Sequence, residues 1–272
     1  MSLVVSIVAW LAAGLGAILV IRGLLNALPA QTVFGIAFGA YAMSLLVYAP
    51  LGFARAGHAL TTSDRILGAS AATVGGWAIL SLTMAIHWSH KTGSPSWTSP
   101  EMTRRLTILG ALAVASITAL AVTLEWPGQP PMAPSTDFIN DFGDRWNVVV
   151  YQLIFAVWIM VPCGMLTWMT WEYRRGPARW LTAAGCAVGV LWAVWKVIGT
   201  LARFFTGERI AIESPVSVAS AATTVVLILT GLLFGLAGRV IAGVSARRGY
   251  SAARRADDDR HYGDDVESES AI

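Results

Sequence analysis

Seven apolar runs of roughly twenty residues each constrain this chain more than any other feature of its sequence. The hydrocarbon core of a bilayer is about 30 Å thick, and an α-helix needs about 20 residues to cross it. Because that core holds no water to satisfy an open backbone, such runs must be helical. The predicted spans cover residues 3–21, 32–51, 66–86, 106–124, 148–169, 180–198 and 216–241.

The composition excludes the two common alternatives. Hydrophobic residues make up 56% of the chain and charged residues only 13%, whereas about a quarter of a soluble globular domain is charged. A disordered chain needs low hydrophobicity and high net charge. We therefore predict an all-α, multi-pass integral membrane protein of the plasma membrane. A seven-helix domain covers residues 1–244, and a disordered tail, first basic and then acidic, covers 245–272.

The basic residues predict an orientation, because Lys and Arg accumulate in cytoplasmic loops. With the N-terminus outside, thirteen of the nineteen Lys and Arg residues fall on the cytoplasmic side, five fall outside and Lys196 lies within a span. The strongest local contribution comes from Arg174, Arg175 and Arg179 in the loop after span five. The N-terminus lacks a basic region and begins the first span, so we do not expect a cleaved signal peptide. The prediction is N-terminus out and C-terminus in.

The connection after span four has a composition of its own. Residues 125–137 are rich in proline and cannot be helical throughout. Residues 137–146 predict a short interfacial turn or helix that leads into span five, and Trp126 and Trp146 suit the role of interfacial anchors.

The tail offers a contact with the membrane surface. Its arginines can approach anionic headgroups, each gaining about 1 kcal/mol near the surface. A topology anchor followed by a solubilising tail is the alternative that we favour. The arginines concerned are Arg247, Arg248, Arg254 and Arg255.

Pairs of glycines four residues apart recur in the predicted spans. Such spacing allows two helix backbones to approach closely. Packing inside the bundle is the favoured interpretation, and a homo-oligomer through these faces is the alternative. The pairs are Gly35 with Gly39, Gly185 with Gly189, and Gly231 with Gly235.

Lys196 is the most informative residue, because an ionisable group inside a span is costly and needs a partner or a water-filled pocket. Arg203 follows it two turns later on the same helix face. Snorkelling of Lys196 to the interface, a structural ion pair, and a ligand or ion site all remain open. An outward-facing polar pocket would join these two to Tyr151, Gln152 and one of the acids Glu125, Asp141 and Asp144.

Other features carry less information. Pro162 should kink span five. His87 and His90 lie one helical turn apart without a third ligand nearby, and Cys163 and Cys186 suit inert core positions. We therefore expect no metal and no cofactor.

No catalytic pattern is present in the sequence. It has no His-Glu-x-x-His, no Gly-x-Ser-x-Gly and no Walker-type loop, and Asp137, Asp141 and Asp144 look solvated. The seven-span layout suggests a microbial rhodopsin, but the last span lacks the lysine that a retinal Schiff base needs. We predict that the protein is not an enzyme and binds no nucleic acid.

The chain resembles a family of seven-span actinobacterial membrane proteins that are usually described as transporters. The similarity extends over roughly residues 104–235. Family members often continue into a larger cytoplasmic region, whereas this chain has only a short acidic tail. The matching features are the turn at 136–138, the start of span five at 148–151, its exit at 171–175, the entry to span six at 179–181, and the basic residue Lys196.

Three functions follow from these observations, in order of preference. The first is a transporter of a small solute or ion through the polar pocket near Lys196, as the resemblance also implies. The second is a non-catalytic sensor or partner-binding membrane protein that uses its proline-rich outer loop. The third is a lipid-modifying membrane enzyme, which would need an acid–base pair near one interface.

Overall fold

The computed structural model describes residues 2–48, 59–93, 97, 99–173, 176–209, 219–228, 230–231 and 234. All the regular elements of this part of the chain are helices. They are α1 (Ser2–Leu25), α2 (Pro29–Tyr48), α3 (Thr62–Thr92), α4 (Pro100–Leu124), α5 (Phe138–Phe142), α6 (Trp146–Tyr173) and α7 (Pro177–Thr206). A further helical segment covers Ala219–Ile228.

Five of these helices, α2, α3, α4, α6 and α7, are long and apolar enough to cross a membrane. The all-helical, membrane-type architecture is therefore confirmed, whereas the count of seven spans and the orientation stay predictions. α1 contributes a shorter apolar stretch, Ala9–Leu25. The predicted seventh span is described only in part, and the tail at 245–272 lies outside the described residues, as do Arg174 and Arg175.

The helices extend beyond the apolar runs that predicted them. α3 begins at a capping box, in which the side chains of Thr61 and Asp64 satisfy each other's backbone N–H groups. It ends at Gly93, whose φ of 68° is left-handed and whose N–H donates to the carbonyl of Ser89. Polar turns at both ends therefore continue the helix past residues 66–86.

α3 and α6 lie at the centre of the bundle, because each packs against three other helices: α3 against α2, α4 and α6, and α6 against α3, α4 and α7. α3 approaches α6 closely at Gly76, where an added methyl group would lie 2.7 Å from the carbonyl oxygen of Trp158 and 3.1 Å from Cγ of Pro162. Pro162 has no N–H, so the carbonyl of Trp158 lacks its helical partner. The glycine thus packs against the part of α6 where proline has exposed the backbone.

Several glycines of the predicted pairs face neighbouring helices of the same chain, and Gly235 lies outside the described residues. A methyl group at Gly16 of α1 would lie 2.8 Å from the carbonyl oxygen of Gly35 and 2.7 Å from the nitrogen of Gly39. Gly185 and Gly189 of α7 face the segment Ala219–Ile228 in the same way. Packing inside the bundle is therefore present, and association with a second copy stays a prediction.

The bundle has two distinguishable ends. Residues 126–145 connect α4 to α6 and lie at one end, which we call the loop end, together with the starts of α3 and α6. The opposite end carries the connections between α1 and α2, between α3 and α4, and between α6 and α7. Cys163 and Cys186 are buried between the two ends and form no disulfide.

Candidate functional site

The connection between α4 and α6 folds back onto the start of α3. Leu60 and Ser135 pair through two backbone hydrogen bonds of 3.0 and 3.1 Å, and Ser135 is buried. α5 follows immediately, which confirms the short helix predicted before span five. Trp126 and Trp146 meet edge to face at 5.0 Å where the connection begins and ends. This segment is therefore part of the packed structure.

Arg65, one turn into α3, is the buried charge that the segment covers. Its side chain is only 6% exposed. Nη2 donates to the backbone carbonyl of Ser135 at 2.7 Å, and Cζ lies 4.2 Å from the ring centroid of Phe138. A buried charge is costly unless it is hydrogen-bonded. Both contacts come from the folded-back segment, which therefore provides much of the environment that this guanidinium needs.

Two tyrosines meet the backbone of the same residue. The hydroxyl groups of Tyr48 and Tyr151 donate to the carbonyl oxygen of Arg65 at 3.4 and 3.3 Å. Tyr151 is buried, and its ring packs against Phe138 at 6.0 Å. The first turn of α3 is thus the point where α2, α5 and α6 meet.

Two carboxylates lie on the other side of Ser135. Its hydroxyl donates to Oδ2 of Asp141 at 2.6 Å and accepts from the backbone N–H of Asp137 at 3.0 Å. Asn140 donates to Oδ2 of Asp137 at 2.7 Å. The second oxygen, Oδ1 of Asp137, is enclosed and has no hydrogen-bond partner in the described part of the chain. Asp137 is therefore solvated only in part, because one of its carboxylate oxygens is enclosed while the residue as a whole is partly exposed.

The end of α7 reaches the same short helix. Nε of Arg203 donates to the carbonyl of Asn140 at 3.2 Å. Arg209 lies 3.8 Å from Asp141, and its side chain is 77% exposed, so that pair contributes little to stability. α5 is therefore attached to α3 by Arg65 and to α7 by Arg203.

The candidate residues from the sequence are distributed unevenly. Tyr151, Asp141 and Arg203 all contact this network, and Gln152 is buried in the turn next to it. Lys196 is partly buried and interacts with its surroundings. The remaining two, Glu125 at the end of α4 and Asp144 after α5, are exposed.

Sequence reasoning missed the residue that holds the site together. In the sequence, Arg65 is one of the five basic residues predicted to lie on the outer side, and it immediately precedes the apolar run that starts at Ile66. The Thr61-x-x-Asp64 capping box was the available signal, because it starts α3 before Arg65 and places that residue inside the helix. Ser135 and Asn140 carry no sequence signal of comparable strength.

The apolar helices of the described residues are compatible with an integral membrane protein. No protein-family model matches the chain, and no curated protein or solved structure is significantly similar to it.

Proposed function

We propose that this membrane protein transports a small ion, and that the ion first binds at the loop end beside α5. The single observation that supports this proposal is the enclosed Oδ1 of Asp137, which has no donor among the described residues. A buried polar group left without a partner costs about 1–3 kcal/mol. A proton or a metal cation at this oxygen would remove that cost.

The surroundings of Asp137 suit a binding step that opens and closes. α5 is only five residues long and is attached to α3 and α7 by side chains of Arg65 and Arg203. Release of these contacts would expose Asp137 to the solution without unfolding a spanning helix. The proposed outer side of the membrane is the loop end, as the distribution of basic residues predicts.

Ion flux through the full chain in liposomes tests the proposal. The vesicles would carry a sodium-sensitive or a pH-sensitive dye inside, and a gradient of sodium ions or protons would be imposed. We expect one of the two ions to enter faster than in empty liposomes, and the Asp137→Asn variant to lose that excess. Asp144→Asn is the matched control, because Asp144 is exposed and lies three residues beyond Asp141, outside the network.

A second candidate function, partner binding, is favoured by a different observation. The proline-rich stretch 126–131 is exposed, yet Arg145 donates to the carbonyl of Pro130 at 2.9 Å and fixes its course. A preorganised exposed loop loses little entropy when it binds a partner. If neither ion enters faster than in empty liposomes, the transport proposal fails and partner binding takes its place.

A further inference from the structure

Three side chains at the opposite end form a cluster that the loop-end network does not use. Arg179 lies in the first turn of α7, Trp180 follows it, and Trp171 lies in the last turn of α6. The guanidinium carbon of Arg179 is 3.3 Å from the ring centroid of Trp171 and 5.6 Å from that of Trp180. The two indoles meet edge to face at 5.4 Å. The guanidinium therefore lies against one indole, with the second beside it.

Within the described residues, no hydrogen bond or ion pair uses the donors of this guanidinium. Nε is enclosed and has no acceptor there. Glu172 is exposed and makes no ion pair with Arg179 within the described residues. Arginine has five N–H donors in a planar fork that fits phosphate. Arg179 as a whole is only partly buried, so part of this side chain can be reached from the surface of the bundle.

The position of the cluster indicates what it meets there. Trp171 and Trp180 are 51% and 62% exposed, and they lie at the ends of two helices long enough to span a membrane. Tryptophan at such a depth is typical of the boundary between hydrocarbon and headgroups. In the sequence, Arg174 and Arg175 lie between Trp171 and Arg179 and add positive charge. A fork-shaped cation at this depth is placed to bind a lipid phosphate.

We propose that Arg179, Trp171 and Trp180 bind the phosphate of an anionic phospholipid, with an acyl chain against the exposed indoles. The indoles hold the guanidinium in place by cation–π contact, so that less conformational entropy is lost on binding. This site is separate from the loop-end network and does not depend on transport.

Arg105 provides a matched control at the same end of the bundle. Its guanidinium also lies near an indole, 5.4 Å from the ring centroid of Trp88. However, its Nη2 is paired with Glu101 at 2.6 Å, so an acid of the protein already occupies this fork. We expect no gain in affinity for an anionic lipid from Arg105.

Native mass spectrometry of the full chain in detergent tests the site. Phosphatidylglycerol or phosphatidylcholine with the same acyl chains would be added, and bound lipids counted. We expect wild type to prefer phosphatidylglycerol, Arg179→Gln to bind it about fivefold more weakly, and Arg105→Gln to bind it as wild type does.

Two outcomes would overturn the proposal. One is equal binding of the two lipids by wild type, and the other is an unchanged affinity for phosphatidylglycerol in Arg179→Gln. If Arg179→Gln does not fold, Arg179→Lys decides, because an ammonium keeps the charge but lacks the planar fork. Weaker binding of phosphatidylglycerol by Arg179→Lys would support the site, and unchanged binding would refute it.

Discussion

The guanidinium of Arg65 donates a 2.7 Å hydrogen bond to the backbone carbonyl of Ser135, seventy positions further along the chain. Both residues are buried. This bond joins the start of α3 to the segment between α4 and α6. Together with the backbone pairing of Leu60 and Ser135, it holds that segment over the end of the bundle and over the enclosed oxygen of Asp137.

Replacement of Arg65 should release this segment. The Arg65→Gln variant loses a charge-assisted hydrogen bond of a kind that contributes about 1.5–3 kcal/mol. We expect a lower melting temperature in detergent and faster thiol labelling of a Ser135→Cys reporter. Arg145→Gln is the control, because Arg145 is only partly buried and contacts the same segment. Equal labelling of Ser135→Cys in both backgrounds would show that Arg65 does not hold the segment.

A methyl group at Gly76 should separate α3 from α6. Gly76→Ala would place it 2.7 Å from the carbonyl oxygen of Trp158, a backbone atom that cannot rotate away. We expect a loss of about 1–3 kcal/mol, as for other overpacked cores. Gly164→Ala on α6 is the control, since nothing lies within 4 Å of the methyl group there. Thermal unfolding of both variants checks the prediction, which fails if their melting temperatures are equal.

Two glycines of α1 should respond with opposite signs. Gly16→Ala would push against the backbone of α2 at Gly35 and Gly39 and should destabilise the protein. Gly14→Ala meets nothing within 4 Å and should stabilise α1 by up to about 1 kcal/mol, because alanine favours a helix more than glycine does. Melting temperatures measured side by side give the comparison. A loss of stability in Gly14→Ala would indicate that its face of α1 is packed against a partner.

The capping box of α3 should contribute measurably to the stability of the loop end. Thr61→Ala removes the acceptor for the backbone N–H of Asp64, and loss of such a cap costs about 1 kcal/mol. Hydrogen exchange should accelerate in the first turn of α3, which contains Arg65. Ser63→Ala, at an exposed position of the same turn, should leave the exchange rates unchanged. Similar exchange rates in both variants would argue against the cap.

The orientation has its own test. Joint charge reversal, Arg174→Glu with Arg175→Glu and Arg179→Glu, should weaken the N-out arrangement, because these residues give the strongest local preference for the cytoplasmic side. A thiol reporter at Asp144→Cys, in the exposed part of the loop end, would then react less from outside the cell. Unchanged reactivity of this thiol from outside the cell would mean that the loop does not determine the topology.

The sequence predicted the helices well and the site only in part. Apolar length alone identifies a span, so residues 66–86 located α3 correctly but not its polar ends. Lys196 is conspicuous in the sequence, because it is a charged residue inside an apolar run. The sequence does not predict a buried Arg65, since a basic residue at the edge of an apolar run normally faces headgroups. Its burial depends on a segment distant in sequence that folds back onto it.

What the sequence determined by itself is the membrane-type, all-helical architecture. Its physical basis is local, since a run of apolar residues in a bilayer must satisfy its own backbone hydrogen bonds. What the tertiary structure decided is which polar groups are enclosed. Folding brings Ser135 to Arg65, whose side chain donates to it. Ser135 also accepts from the backbone N–H of Asp137, whereas Oδ1 of Asp137 is enclosed without a partner among the described residues. The stability of a buried polar group depends on the neighbours that replace its water, and packing alone brings these neighbours together.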